Sequence, residues 1–151
     1  MGQAPLKLPA ALSACRAAVL DTMVLIYVFE NQSAYAAVCE WLLLQAEAGS
    51  FTGIVTPVTM AEIVVKPLQC NRPDIADAYQ AAICNAPNVQ LCELAWETGV
   101  MAGALRAKYG LPLPDMLQAA CAIRQNAVLI TNDRALRAVK DVEIILLSDL
   151  L

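Results

Sequence analysis

Three aspartates stand just beyond short apolar runs in this chain. Ala-Ala-Val-Leu leads into Asp21, Ala-Val-Leu-Ile into Thr131, Asn132 and Asp133, and the loop Leu-Pro-Leu-Pro into Asp115. A fourth acid, Glu62, follows the run Gly53-Ile54-Val55 by a few residues. A continuous apolar run reads as a buried parallel strand, and ligands of open α/β sheets bind beyond the carboxyl ends of such strands. Four acids gathered there repel one another. Two unit charges about 4 Å apart at an effective dielectric of 20 cost about 4 kcal/mol. A cation relieves that cost, so the pattern points to a metal site.

Composition narrows the chemistry. The chain has no histidine, which excludes Ser-His-Asp and Cys-His catalysis and His-ligated zinc. Hydrolysis must then rest on carboxylates, and oxygen donors suit a hard ion such as Mg²⁺ or Mn²⁺. The six cysteines, at 15, 39, 70, 84, 92 and 121, include no CxxC pair and read as small buried hydrophobes. The net charge of −4 weakens a general electrostatic case for nucleic acid. The bases are uneven, though: only Lys7 and Arg16 precede residue 60, and Arg134 directly follows Asp133.

The elements that must position the acids alternate along the chain. Strands are predicted near 18–20, 53–56, 88–92, 127–131 and 143–147. Helices are predicted near 23–30, 34–48, 58–66, 73–84, 94–109, 114–125 and 134–139. Such alternation predicts an α/β fold, a central parallel sheet of four to five strands with helices on both faces. Asp115 and Asp133 are each also placed to cap a following helix. A loose N-terminal arm over 1–16 precedes a single domain over 17–151. Leu12-Ser13-Ala14-Cys15 resembles a lipoprotein cleavage site, but too few residues separate Lys7 from Cys15 for an apolar signal region. Acids interrupt the longest apolar stretches, so no membrane span is expected. A cytoplasmic protein is expected.

The stretch 34–48 is apolar nearly all round, with Glu40, Gln45 and Glu47 its main polar positions. An ordinary surface helix keeps a wide polar face, so one side of this helix is expected to meet another chain. Tyr27, Phe29, Trp41 and Leu42 are its candidate contacts. In 94–109, Ala95, Gly99, Gly103 and Ala107 recur every four residues, a small-residue stripe expected to let the helix approach a neighbour closely.

Four segments together carry a family resemblance. Leu20-Asp21-Thr22-Met23-Val24-Leu25-Ile26-Tyr27 resembles the opening motif of PIN domains, and Thr59-Met60-Ala61-Glu62-Ile63 their second acidic motif. Leu113-Pro114-Asp115-Met116-Leu117-Gln118-Ala119-Ala120 is similar to the third motif, and Leu129-Ile130-Thr131-Asn132-Asp133 to the fourth. Within the family the chain most resembles VapC-type toxins, the ribonuclease halves of bacterial toxin–antitoxin pairs. The resemblance implies a three-layer α/β/α fold and a Mg²⁺- or Mn²⁺-dependent endoribonuclease. Asp21, Glu62, Asp115 and Asp133 would be its catalytic and metal-holding residues, one or two ions would be bound, and Thr22, Thr131 and Arg134 would give support. It also implies an RNA substrate, a small antitoxin partner lying along apolar helices near the site, and a homodimer. Two departures stand out: Met23 and Met116 occupy positions where many members carry a small polar residue and an alanine. The alternative is a PIN-fold interaction module with little or no nuclease activity. A phosphatase of the Asp-x-Asp kind fails at Met23.

Overall fold

A computed structural model describes residues 6–31 and 33–151. Five parallel strands form one sheet: β1 (Ala17–Leu20), β2 (Thr52–Val55), β3 (Val89–Leu91), β4 (Val128–Thr131) and β5 (Ile144–Leu146). Their order across the sheet is β3-β2-β1-β4-β5, all neighbours parallel. The chain therefore builds outward from β1 in one direction, then restarts at β4 on the other side. That reversal lies between β1 and β4, and the crevice above such a reversal is where open α/β sheets bind ligands.

The apolar runs form strands because both faces of the sheet are covered. Side chains alternate sides along a strand, and here they alternate between two cores. Ala18, Leu20, Val128 and Ile130 face one core, while Val19 and Leu129 face the other. The first core is closed by α1 (Ala10–Cys15), α2 (Thr22–Glu30) and α3 (Ala36–Glu47). The second is closed by α7 (Trp96–Tyr109) and α8 (Leu113–Arg124). Between β2 and β3 run α4 (Pro57–Ile63), α5 (Val65–Gln69) and α6 (Pro73–Asn85). Gly53 permits the close packing of β2. A Cβ there would meet the Val89 side chain at 3.2 Å and the Leu20 side chain at 3.4 Å.

Several expectations are corrected. The segment expected as a loose arm contains α1, whose Leu12 is fully buried in the first core; the arm's first five residues lie outside the described ones. The helix expected over 58–66 breaks at Val64 into α4 and α5. Pro67 explains the break, since its ring excludes the carbonyl four residues earlier, that of Ile63. Residues Arg134–Ala138 form a 3-10 turn rather than an α-helix. The α3 helix keeps an outward face of Glu40, Leu44 and Glu47, and Leu42 is fully buried. Leu42 is thus a core residue and not a partner contact. The small-residue stripe of α7 faces solvent: Gly99 and Gly103 have nothing within 4 Å of an added Cβ. The helix packs instead through Thr98, Ala102 and Leu105. Among the described residues no helix is long and apolar enough to cross a membrane.

If α1 belongs to the core, Leu12→Ala lowers the unfolding free energy by about 2–4 kcal/mol, the usual cost of emptying a buried leucine site. Urea denaturation measures this, and a change below about 0.5 kcal/mol would show that α1 adds nothing to the core.

Candidate active site

Asp21 and Asp133 are positioned by the strands they follow. Asp21 follows β1, and its backbone N–H bonds the Ile130 carbonyl of β4 at 3.0 Å, directly at the reversal. As the N-cap of α2, its Oδ1 accepts from the Thr22 N–H at 2.8 Å. Its Oδ2 accepts from the Thr131 hydroxyl at 2.7 Å. Asp21 is buried. Asp133, two residues past β4, is exposed and caps the 3-10 turn through the Ala135 N–H at 2.9 Å. Its own N–H donates to Thr131 Oγ1 at 3.1 Å, so Thr131 ties Asp133 to Asp21.

Asp115 and Glu62 arrive on helices. Asp115 lies in the first turn of α8, where Pro112 occupies the N-cap position and makes no side-chain cap bond. The expected capping role is therefore unused, while the helix dipole still favours a negative group there. Glu62, on the second turn of α4, accepts from the Thr22 hydroxyl at 2.8 Å. Thr22 and Thr131 hold carboxylates rather than facing open solvent. Arg134 is exposed next to Asp133.

A buried polar chain missed by sequence reasoning stands behind these acids. The Thr56 hydroxyl donates to Gln118 Oε1 at 2.7 Å, and Gln118 Nε2 donates to Thr59 Oγ1 at 2.8 Å. Thr59 lies 3.4 Å from Thr22 Oγ1. The single Thr22 hydroxyl proton goes to the nearer Glu62, so the Thr59 hydroxyl donates to Thr22. Gln118 is 1% exposed on α8. Its signal in the sequence is a long polar side chain within Met116–Ala122, where its neighbours are apolar. The chain fixes α8 against α4, and so Asp115 against Glu62.

The acids are close enough for their charges to couple. Burial first, and then the charges of Asp21, Asp133 and Glu62, together push the Asp115 carboxyl up to about 6. Burial also raises Asp21, the Thr131 and Thr22 hydrogen bonds hold it back, and Asp133 adds to the rise. The four ion pairs among the described residues involve other acids. Among the described residues, no three acidic or cysteine side chains converge tightly enough to share an ion as they stand. Mutual repulsion favours such separation. The donors are all oxygens, a set that fits a hard divalent cation.

Of the expected partner contacts, Tyr27 is half-buried, its hydroxyl accepting from Asn132 Nδ2 at 3.2 Å. Phe29 is also half-buried and stacks on Tyr79 with ring centroids 4.8 Å apart. Trp41 is half-buried against the first core. A separate groove of about 260 Å³ runs beside Glu62, with Ile26, Ile63, Pro67, Ile75 and Tyr79 as its apolar lining.

The comparisons agree with this fold. The family model described as PIN domain matches residues 18–142, and the chain belongs to that family. No curated protein matches it. Among solved structures, it is similar to VapBC2 from Rickettsia felis bound to a promoter DNA fragment, with a TM-score of 0.69 and 16% identity over 85% of this chain and 97% of that one. It is similar to DNA-bound VapBC from Salmonella typhimurium, with a TM-score of 0.69 and 17% identity over 87% of this chain and 98% of that one. A toxin–antitoxin complex from Klebsiella pneumoniae gives a TM-score of 0.65 and 20% identity over 86% of this chain and 97% of that one. At these identities the likeness is one of fold.

The raised Asp115 value sets a pH dependence for the metal-free protein. An acid whose folded value lies above its unfolded value favours the folded state while protonated, and that advantage is lost as pH rises through the folded value. This contribution is full below about 3.8 and is lost by about pH 6. Asp115→Asn should therefore stabilise the metal-free protein at pH 7 by about 1 kcal/mol, after discounting for solvent screening at its half-exposed position. The gain should shrink towards pH 4. Thermal melts across pH in EDTA measure it, and a pH-independent difference would refute the assigned coupling.

Proposed function

We propose that this chain is a divalent-metal-dependent endoribonuclease, the toxin of a toxin–antitoxin pair. The observation that carries the reading is the set of four carboxylates without ion-pair partners at the β1–β4 reversal, three of which raise the fourth. Membership of the PIN family and the fold shared with VapBC assemblies support it. Asp21, Glu62, Asp115 and Asp133 would hold one or two Mg²⁺ or Mn²⁺ ions. Such ions, when bound, supply Lewis acidity towards phosphoryl oxygens and make a bound water more acidic. The protein's own groups preorganise the site. Thr131 orients Asp21 and Asp133, Thr22 orients Glu62, and the Thr56–Gln118–Thr59 chain holds α8 in place. Lys66 and Arg72 stand at the groove beside Glu62, and with Arg134 they suit contacts to an RNA backbone. The groove's apolar lining suits the tail of a small antitoxin, which would there block access to Glu62.

Purified protein should cleave single-stranded RNA with Mg²⁺ or Mn²⁺, and Asp21→Asn or Asp115→Asn should reduce the rate by at least about 100-fold. Loss of a ligand-orienting group alone typically costs 10–100-fold. Cleavage that survives EDTA, or persists in Asp21→Asn, would defeat the mechanism. Met23, exposed on the first turn of α2, favours the second reading, an interaction module. A protein stabilised by millimolar Mg²⁺ that cleaves no RNA would establish that reading instead.

We also propose that the homodimer forms through α7 rather than α3. Opposite the packed face of α7 lie Trp96, Val100, Gly103 and Ala107, spaced four, three and four residues apart. Trp96 is 86% and Val100 64% exposed. Large residues occupy one end of this seam and small ones the other. A second copy running antiparallel would set Trp96 over Ala107 and Val100 over Gly103, with Glu97 near Lys108 of the opposite copy. Trp96→Ala should convert the dimer to a monomer in sedimentation at micromolar concentration. A wild-type monomer at about 100 μM would exclude this interface.

A further inference from the structure

The cysteines read in sequence as scattered core residues include one pair that the fold brings into contact. Cys92 follows β3 and anchors its N–H on the Val55 carbonyl at 2.9 Å. Cys121 lies on α8, one turn beyond Gln118. Their sulfurs are 3.7 Å apart. Gln125 Nε2 donates to the Cys92 sulfur from 3.6 Å. Cys121 is 2% exposed. Cys92 is half-buried and lines a cleft of about 320 Å³ with Thr56, Met60, Ile83 and Cys84. One thiol thus meets the cleft and the other lies directly behind it.

We propose that Cys92 and Cys121 form a reversible thiol–disulfide pair oxidised by hydrogen peroxide entering this cleft. The Cys92 sulfur, giving up its proton, attacks one peroxide oxygen; the O–O bond breaks, Cys92 becomes a sulfenic acid, and the hydroxide released takes up the Cys92 proton and leaves as water. The Cys121 sulfur then attacks the Cys92 sulfur; the S–O bond breaks and a second water leaves, taking up the Cys121 proton. Two thiols are oxidised to one disulfide and one peroxide is reduced to two waters. A dithiol reductant reverses the bond by exchange. Attack begins at Cys92 because it lines the cleft while Cys121 is 2% exposed; burial, and then the neighbouring Cys92, also push the Cys121 thiol up to about 12. A disulfide of about 2.05 Å requires the sulfurs to close by roughly 1.7 Å, within reach of a rotamer change at half-buried Cys92. Disulfides of this kind in reducing compartments are transient and redox-sensing. The bond would tie the end of β3 to α8, the helix that carries Asp115 and Gln118. This inference does not depend on RNA cleavage.

The test treats the reduced full chain with a few equivalents of hydrogen peroxide under native conditions. Thiol titration should fall from six to four per chain, and peptide mapping should show Cys92 linked to Cys121. Dithiothreitol should restore six. Cys92→Ser should keep its remaining five thiols at the same peroxide dose. A Cys84–Cys92 link, a link between chains, stepwise oxidation of Cys92 with Cys121 still free, or no reaction at either would each overturn the proposal.

Discussion

Repulsion among four carboxylates in one crevice is the constraint around which this molecule is organised. Folding must place Asp21, Glu62, Asp115 and Asp133 near one another, yet no lysine or arginine pairs with them among the described residues. The cost is visible at Asp115, whose carboxyl is lifted to about 6 by burial and by the other three acids. The fold tolerates this because Asp21 and Asp133 follow strands and cap the turns after them, and Asp115 opens α8, while Glu62, near the end of α4, is held by the Thr22 hydroxyl. At the helix and turn starts, backbone N–H groups and the helix dipole offset part of the charge.

Rigidity comes from hydroxyls and one amide rather than from countercharges. Thr131 couples Asp21 to Asp133 across neighbouring strands, and Thr22 couples the start of α2 to Glu62 on α4. Gln118 extends this to α8 by accepting from Thr56 and donating to Thr59. A fully bonded polar chain inside an apolar layer favours one arrangement of its helices, since an unmade buried hydrogen bond costs about 1–3 kcal/mol. Asp21, Asp133 and Glu62 are thus positioned by neutral groups, which leaves their charges without a countercharge. The same economy separates the surfaces: the groove beside Glu62 touches the site, while the Trp96 seam lies on the outer face of the second core.

Much of the molecule is legible in the residues. AAVL and AVLI read as strands buried on both sides, because only a fully covered strand is apolar at every position. Asp21 and Asp133 could be placed at one sheet edge because both end such strands. Residue types also excluded histidine chemistry outright and pointed to oxygen donors for a hard ion. Pro67 is visible too, and its ring accounts for the break at Val64.

What the tertiary structure alone decided depends on which face each residue turns to its neighbours. Local pattern cannot tell whether Leu42 points inward or the Gly99–Gly103 stripe outward, since that choice belongs to the helices packed alongside. Neither could it show that Gln118 bridges Thr56 and Thr59, or that Cys92 and Cys121 touch, because those partners lie far apart in the chain and meet only when α8 closes over the sheet. The residues determined the acids and the strands; the sheet order β3-β2-β1-β4-β5 decided that the ends of β1 and β4 lie side by side, so that Thr131 can join Asp21 to Asp133.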